Sequence, residues 1–356
     1  MAQSNLTDAK KAKNDEFYTQ YEDIQREVNA YLEYDPDVFR GKTVLLPCDD
    51  PEWSNFTKFF AQNFEKFGLK KLISTSYAYE SKTTKGDFQI SIFEQVSPEF
   101  DPDKTRTKGK IFTLTRDGKK AKKINIDDLK WYYLEGDGDF RSDEVKALRD
   151  EADIIVTNPP FSLFREFLAW IMEADKKFLI IGNKNCITYK EVFPLIQQNK
   201  IWSGKTSWGG GLWFETRNRD DVDKVIDGIN MKNVSAVWFT NLDHGKRHLP
   251  LSLMTMADNL KFSKHKEIKE NGYPKYDNYD AIEVPYSDAI PCDYDGVMGV
   301  PISFLDKYCP EQFEIIGCTE SEGKGFSNGL WNAEYKIAQP LINGNKVYKR
   351  LFVRRK

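Results

Sequence analysis

Four consecutive residues, Asn158, Pro159, Pro160 and Phe161, combine a side-chain amide, two stiff imino acids and an aromatic ring. Asn158 Oδ1 and the Pro159 carbonyl are adjacent acceptors, and proline restricts the backbone between them. Aimed at the two N–H bonds of an exocyclic aromatic amine, such acceptors would draw the nitrogen toward tetrahedral geometry. That frees a lone pair otherwise delocalised into the ring. Phe161 is placed to stack on that ring. No strong general base is required, because the nitrogen becomes acidic once it is alkylated. A base inside a duplex could not enter this pocket, so a nucleotide substrate would have to swing out of its stack.

The chain ahead of the tetrapeptide explains how it would be held. Asp153-Ile154-Ile155-Val156-Thr157 reads as a strand buried on both faces, and the prolines stop it abruptly. Pro159 also keeps Asn158 out of the helical region, at the carboxyl end of the strand, where open α/β sheets bind ligands. A second candidate turn follows the strand Lys42–Leu46, in Pro47-Cys48-Asp49-Asp50-Pro51. It has no glycine-rich fingerprint, and two acids would repel a pyrophosphate. The turn therefore favours a cofactor with hydroxyls and an amine, such as S-adenosylmethionine, over NAD or ATP. Gly138-Asp139-Phe140 sets an acid and an aromatic at another strand end. It reads either as a plain turn or as an element for an adenine ring. Phe17 and Tyr18, ahead of a helix with apolar positions Tyr21, Ile24, Val28, Tyr31 and Leu32, either staple that helix to the core or line a cofactor pocket.

The remaining elements alternate. A helix carries Trp53, Phe56, Phe59, Phe60 and Phe64 as a core stripe. A strand covers Leu69–Tyr79, and 81–128 reads as a lysine-rich β-hairpin insertion at the surface, with Phe88, Ile90 and Ile92, then Ile111, Phe112 and Leu114. Helices follow near 143–151, 163–172 and 192–198, with strands at 177–181 and 234–240. This alternation predicts an α/β fold with a mostly parallel, doubly wound sheet. Beyond Pro250 periodicity weakens, with short core segments at 302–308 and 313–316. The expected division is a catalytic domain over 1–250 and a separate region over 251–356. The last eleven residues alternate apolar and basic types, as a solvated end or a phosphate contact would.

Composition limits the function classes. The 356-residue chain is 40% apolar and 30% charged, has no apolar run of membrane-spanning length, and carries a net charge of −3. Any nucleic-acid face must therefore be local. Met1–Gln20 lacks the apolar core of a secretory signal. Five scattered cysteines without paired spacing suit a reducing cytoplasm, and support neither a disulfide framework nor a zinc site. His244 and His248 are four apart, but no acidic partner in the sequence completes a metal triad, and no metal site is expected.

Asn158-Pro159-Pro160-Phe161 resembles the Asn/Asp-Pro-Pro-Phe/Tyr motif of amino methyltransferases that use S-adenosylmethionine. Asp15–Gln20, Cys48-Asp49-Asp50-Pro51 and Gly138-Asp139-Phe140 are similar, in the same order, to blocks of the EcoRI-type adenine-specific DNA methyltransferases. The resemblance covers most of the chain. It implies a Rossmann-like methyltransferase sheet with a C-terminal target-recognition region, and transfer of a methyl group to N6 of adenine in double-stranded DNA. It further implies that Asn158 to Phe161 hold and stack the adenine, and that Cys48, Asp49 and Asp50 line the cofactor. Asp139 and Phe140 would meet the cofactor's adenine, and Tyr18 and Thr19 its methionine end. A cognate restriction endonuclease is a possible companion. The tetrapeptide also occurs in enzymes that methylate RNA bases or a protein glutamine amide, and a non-catalytic DNA-binding protein on the same fold is a further alternative.

Overall fold

A computed structural model of the chain describes residues 18–78, 100–116, 130–216, 221–320 and 325–356. Contacts divide it into two units: Met1–Lys184 with Gly209–Leu242, and Asn185–Trp208 with Asp243–Lys356. The division is thus not a single cut near Pro250, because 185–208 groups with the later residues.

The first unit is built on strands β1 (Tyr18–Thr19), β2 (Thr43–Leu46), β3 (Lys71–Thr75), β4 (Lys110–Thr115), β5 (Trp131–Tyr133), β6 (Ile154–Thr157) and β7 (Lys177–Asn183). After β8 (Trp202–Ser203), which lies in the second unit, come β9 (Leu212–Glu215), β10 (Lys224–Ile226), β11 (Ile229–Val234) and β12 (Ala236–Thr240). Its main sheet runs β5-β4-β3-β2-β6-β7-β12. The central strands β3, β2, β6 and β7 are parallel, whereas β4, β5 and β12 are joined by antiparallel pairings. Every residue of β2 and β6 is buried, as continuous apolar runs require when helices cover both faces of a parallel sheet. A small sheet of order β1-β9-β11-β10 completes the unit.

Helices α1 (Tyr21–Tyr34), α2 (Asn55–Gln62) and α4 (Phe164–Glu173) bury an apolar stripe, and α3 (Asp143–Glu151) buries Val145 and Arg149. Of the residues expected on one helix with Phe56, Phe59 and Phe60, Trp53 stands in the turn before α2 and Phe64 in a separate short helix after it. On α2, Phe56, Phe59 and Phe60 enter the core, and Phe59 and Phe60 meet Phe67 edge-on or tilted. On α4, Phe164 lies so close to β7 that a Cβ on Gly182 would fall 2.3 Å from its ring, which explains the glycine there. None of the described helices is long and apolar enough to cross a membrane.

One expectation changes here. Lys110–Thr115, read as part of a surface insertion, is strand β4 inside the main sheet, paired on one edge with β3 and on the other with β5. Phe112 and Trp131 belong to the core of the unit. Phe88, Ile90 and Ile92 lie outside the described residues, as do Phe17 and Tyr79.

The second unit holds a sheet of order β13-β14-β18-β15, formed by β13 (Ile282–Glu283), β14 (Met298–Pro301), β15 (Phe313–Cys318) and β18 (Arg350–Arg355). The pair β16 (Leu341–Ile342) and β17 (Asn345–Lys346) stands apart. Tyr276, Tyr279, Ala281 and Phe352 form its aromatic core. The basic tail is therefore a solvated end only in part: Lys346, Arg354 and Lys356 are exposed, but a core strand runs between them. Leu351, Phe352 and Val353 are fully buried in β18 between β14 and β15, and Arg350 forms a buried ion pair with Glu283. Four consecutive residues, Arg350 to Val353, are buried, so the strand is covered on both faces, and the flanking basic residues obscured it.

Candidate active site

The strand order reverses between β2 and β6, because β3 lies outside β2 and β7 outside β6. In an open α/β sheet the crevice beyond the carboxyl ends at such a reversal is the ligand site. The turn after β2 carries Cys48, Asp49 and Asp50, and the loop after β6 carries Asn158, so both candidate segments flank this crevice.

Asp49 ties the two together. It is buried, its Oδ2 accepts a hydrogen bond from Thr157 Oγ1 at 2.6 Å, and its Oδ1 accepts one from Ser54 Oγ at 2.7 Å. Ser54 is also the N-cap of α2, accepting from the amides of Phe56 and Thr57, a contact worth about 1 kcal/mol. The main chain of Asp49 is fixed as well, by its amide to the Thr75 carbonyl and by Ser74 Oγ to its own carbonyl. Burial pushes the Asp49 carboxyl up to about 7, against the two hydroxyl hydrogen bonds, and the charge of Asp50 adds to the rise. Asp50 plays a different part. Its carboxylate accepts the Glu52 amide at 2.9 Å and its carbonyl accepts those of Trp53 and Ser54, so it shapes the turn. Glu52 anchors the turn to the sheet through a buried ion pair with Lys110 at 2.7 Å, and Lys110 Nζ also lies 4.6 Å from the Trp131 ring centre.

The loop of the tetrapeptide is set by its prolines. Pro159 is buried, and Pro160 starts a single 3₁₀ turn over Phe161–Leu163, with the Leu163 amide bonded to the Pro160 carbonyl. Asn158 is half-buried with its Oδ1 withdrawn from solvent. The half-buried Phe161 ring meets Phe214 of β9 edge-on at 6.4 Å. Phe214 is the register partner of Thr19 on β1, and the Thr19 carbonyl accepts Asn55 Nδ2 at 2.8 Å from the start of α2. Tyr18–Thr19, Asp49, Thr157–Asn158 and Phe161 thus belong to one corner, linked contact by contact. The buried Thr19 hydroxyl has no hydrogen-bond partner among the described residues.

Asp139 and Phe140 are more committed to structure than their sequence suggests. Burial would raise the Asp139 carboxyl, but both its oxygens are held by Arg141, at 2.9 and 2.6 Å, and the net effect is a lowered value. Phe140 is buried against Phe167 and Trp170 of α4. Gly138 beside them has φ +81°, and a Cβ there would fall 2.1 Å from the Ser76 carbonyl. This glycine lets the loop press against the chain leaving β3, and the Ala78 amide bonds to the Asp137 carbonyl.

Thr157, Ser54 and Asn55 join this corner although the sequence did not mark them as site residues. Ser54, just before an aromatic stripe, carried a legible N-cap signal. In the second unit, His244 and His248 face different partners: His244 Nε2 meets the Ser203 carbonyl at 3.0 Å, and His248 lies between Asp243 and Glu311, each at 2.8 Å.

The corner suits a ligand with a cationic group and hydrogen-bonding heteroatoms. Asp49 has no lysine, arginine or histidine partner among the described residues, the Thr19 hydroxyl is unsatisfied, and the turn carries Asp49, Asp50 and Glu52 where a phosphate site needs bare amides.

Residues 5–356 match the family described as adenine-specific methyltransferase EcoRI. The chain is 41% identical to the Type II methyltransferase M.EcoRI of Escherichia coli, over 99% of this chain and 96% of that protein. It is 36% identical to the Type II methyltransferase M.MpnI of Mycoplasma pneumoniae, over 87% and 84%, respectively. It is 33% identical to the Type II methyltransferase M.MgeORF184P of Mycoplasma genitalium, over 98% and 97%. No solved structure matches the chain.

Proposed function

The chain belongs to the EcoRI family of adenine-specific methyltransferases and is a DNA adenine methyltransferase; from that premise we propose how its residues divide the work and that its methyl donor is S-adenosylmethionine. The donor, when bound, supplies an electrophilic methyl group on a cationic sulfur. Tyr18, Thr19 and the turn Cys48-Asp49-Asp50 hold its amino-acid end and its charge. The loop around Asp139 and Phe140 borders its adenine, with Asp139 acting through a position fixed by Arg141.

Asn158 Oδ1 and the Pro159 carbonyl accept the two N6 hydrogens of an adenine swung out of the duplex, leaving the nitrogen lone pair directed away from the ring plane. Pro160 fixes the turn and Phe161 stacks on the base. The methylated nitrogen is acidic and loses one proton to solvent, so no histidine or carboxylate base is assigned. The second unit, with a sheet and an aromatic core of its own, is assigned the choice of DNA sequence. Protection of DNA from a cognate endonuclease is the biological setting that the family name suggests.

The observation that carries this reading is the Thr157–Asp49 hydrogen bond across the strand-order reversal, which joins the donor turn to the residue before Asn158. Incubation with methyl-tritiated S-adenosylmethionine and duplex DNA, followed by nucleoside analysis, is expected to give label in N6-methyladenine. Label confined to RNA, to protein or to cytosine would overturn the reading.

A further inference from the structure

Buried carboxylates in folded proteins normally face a cation or a set of backbone amides, both of which favour the ionised form. Asp49 faces neither through its side-chain oxygens. Both accept from hydroxyls, Oδ1 from Ser54 on α2 and Oδ2 from Thr157 on β6. Ser54 Oγ already accepts from the amides of Phe56 and Thr57 and so stays a donor, whereas Thr157 Oγ1 can donate to a carboxylate or, after rotating, accept from a carboxyl, and serves either protonation state. The elements packed around Asp49 continue the pattern: Thr57 on α2 bonds to Ser74 on β3 at 2.7 Å, Ser74 donates to the Asp49 carbonyl, and Thr75 donates to the Pro47 carbonyl. The charged neighbours lie in the turn itself. They are Asp50 and Glu52, and Glu52 is neutralised by Lys110 of β4.

We propose that Asp49 keeps its proton in the free protein and releases it to solvent when a cationic ligand of the sulfonium or ammonium class fills the turn. The O–H bond of the carboxyl breaks, the proton passes to buffer, and the hydroxyl that had accepted it rotates to donate. Asp49 then acts as the counter-ion of the ligand. Because Thr157 immediately precedes Asn158, the same event resets the hydrogen bond at the root of the base-holding loop. The value near 7 produced by burial places this change within working pH. The inference rests on the reading that the turn holds S-adenosylmethionine, and it adds a proton to that binding equilibrium.

The test is calorimetric titration of the full chain with S-adenosylmethionine in phosphate and in Tris, at several pH values from 6 to 8.5. The dependence of heat on buffer counts protons released. Asp49→Asn keeps the ligand's own titration and removes that of Asp49. The difference between the two proteins is expected to be close to one proton near pH 6, about half a proton at pH 7, and near zero at pH 8.5. Binding by both proteins with no difference at pH 6 would overturn the inference and leave the proposed donor intact. Failure of the unaltered protein to bind S-adenosylmethionine would overturn the donor as well. A measurement that needs no variant is the infrared difference spectrum of protein labelled with ¹³C-aspartate. A protonated-carboxyl band present in the free protein should vanish on binding, and its absence from the free protein would equally overturn the inference.

Discussion

Two buried acids, one in each unit, have opposite environments. Glu283 in β13 is clamped by Arg350 of β18, whose Nε and Nη2 lie 3.0 and 2.6 Å from its oxygens, and Tyr276 donates its hydroxyl as well. Burial lowers the Arg350 guanidinium, but the Glu283 contacts prevail and raise it. The ligand for that carboxylate is built into the protein. Asp49 is as deeply buried, yet it has only hydroxyl partners for its side chain. A folded chain tolerates such an acid because it can be neutral, and the arrangement leaves a place for a cation from outside. The same residue class is thus a structural tie in the second unit and an open half-site in the first.

Variants of the two regions should separate along that line. The largest effect is expected from Asn158→Ala, which removes an acceptor from the reacting amine. DNA methylation should fall by about 100- to 1,000-fold, the range seen when a group that acts on the transition state is deleted. Thermal stability and S-adenosylmethionine affinity should stay within a few-fold of the unaltered protein. Activity near the original level would reject the role of the amide. Arg350→Met should do the reverse. It strands Glu283 in the core, at a cost of about 3–5 kcal/mol in unfolding free energy, read by chemical denaturation. Replacing Glu283 by Leu in the same chain should recover much of that loss, since it removes the stranded charge. A stability change below about 1 kcal/mol would mean that the pair is not the tie described.

How far the sequence reveals this contrast depends on distance along the chain. Ile154-Ile155-Val156 and Lys177–Ile181 are legible as buried parallel strands because the signal is local and apolar. The Phe56, Phe59 and Phe60 stripe is legible for the same reason. The Asp49–Thr157 bond joins residues 108 apart, and no local pattern announces it. Arg350–Glu283 spans 67 residues, so a terminal basic cluster looks solvated until its partner strand is known. β4 was obscured because Lys110 looks like a surface residue, whereas Glu52 neutralises it and Trp131 covers it. The tie that holds Asp139 is, by contrast, local. Arg141 follows it by two positions, and an acid so close to an arginine is commonly engaged by it.

The pH dependence of stability is a finer probe of the same difference. The folded-state value of Asp49, near 7, lies above its ordinary value of about 4, so between the two the folded chain binds more protons than the unfolded one. Its contribution is full below the unfolded value and is lost as pH rises through the folded one. In the absence of ligand, Asp49→Asn should therefore flatten the fall in stability between pH 5 and 7.5. The variant should gain about 2–3 kcal/mol on the unaltered chain across that interval, measured by denaturant unfolding at each pH. Glu283→Gln should instead lose stability at pH 7, because it leaves the Arg350 charge without its counterpart. Parallel stability curves for Asp49→Asn and the unaltered chain would mean that Asp49 is ionised throughout, and the contrast between the two acids would collapse.

The smallest effect concerns the link itself. Thr157→Val keeps the shape and β-branching that suit the end of β6 while removing the hydroxyl 2.6 Å from Asp49. One lost hydrogen bond to a buried acid is worth about 1–2 kcal/mol. If Asp49 were a tie like Glu283, that amount would appear as lost stability and nothing more. An acid that turns ionic on binding needs the hydroxyl most when it is charged. The cost should therefore fall mainly on the liganded protein, as an affinity for S-adenosylmethionine weakened about 5- to 20-fold, with stability of the free chain little changed. Thr157→Ser restores the donor and should restore the affinity. Valine and serine variants that bind alike would show that Thr157 shapes the strand end without taking part in the charge change.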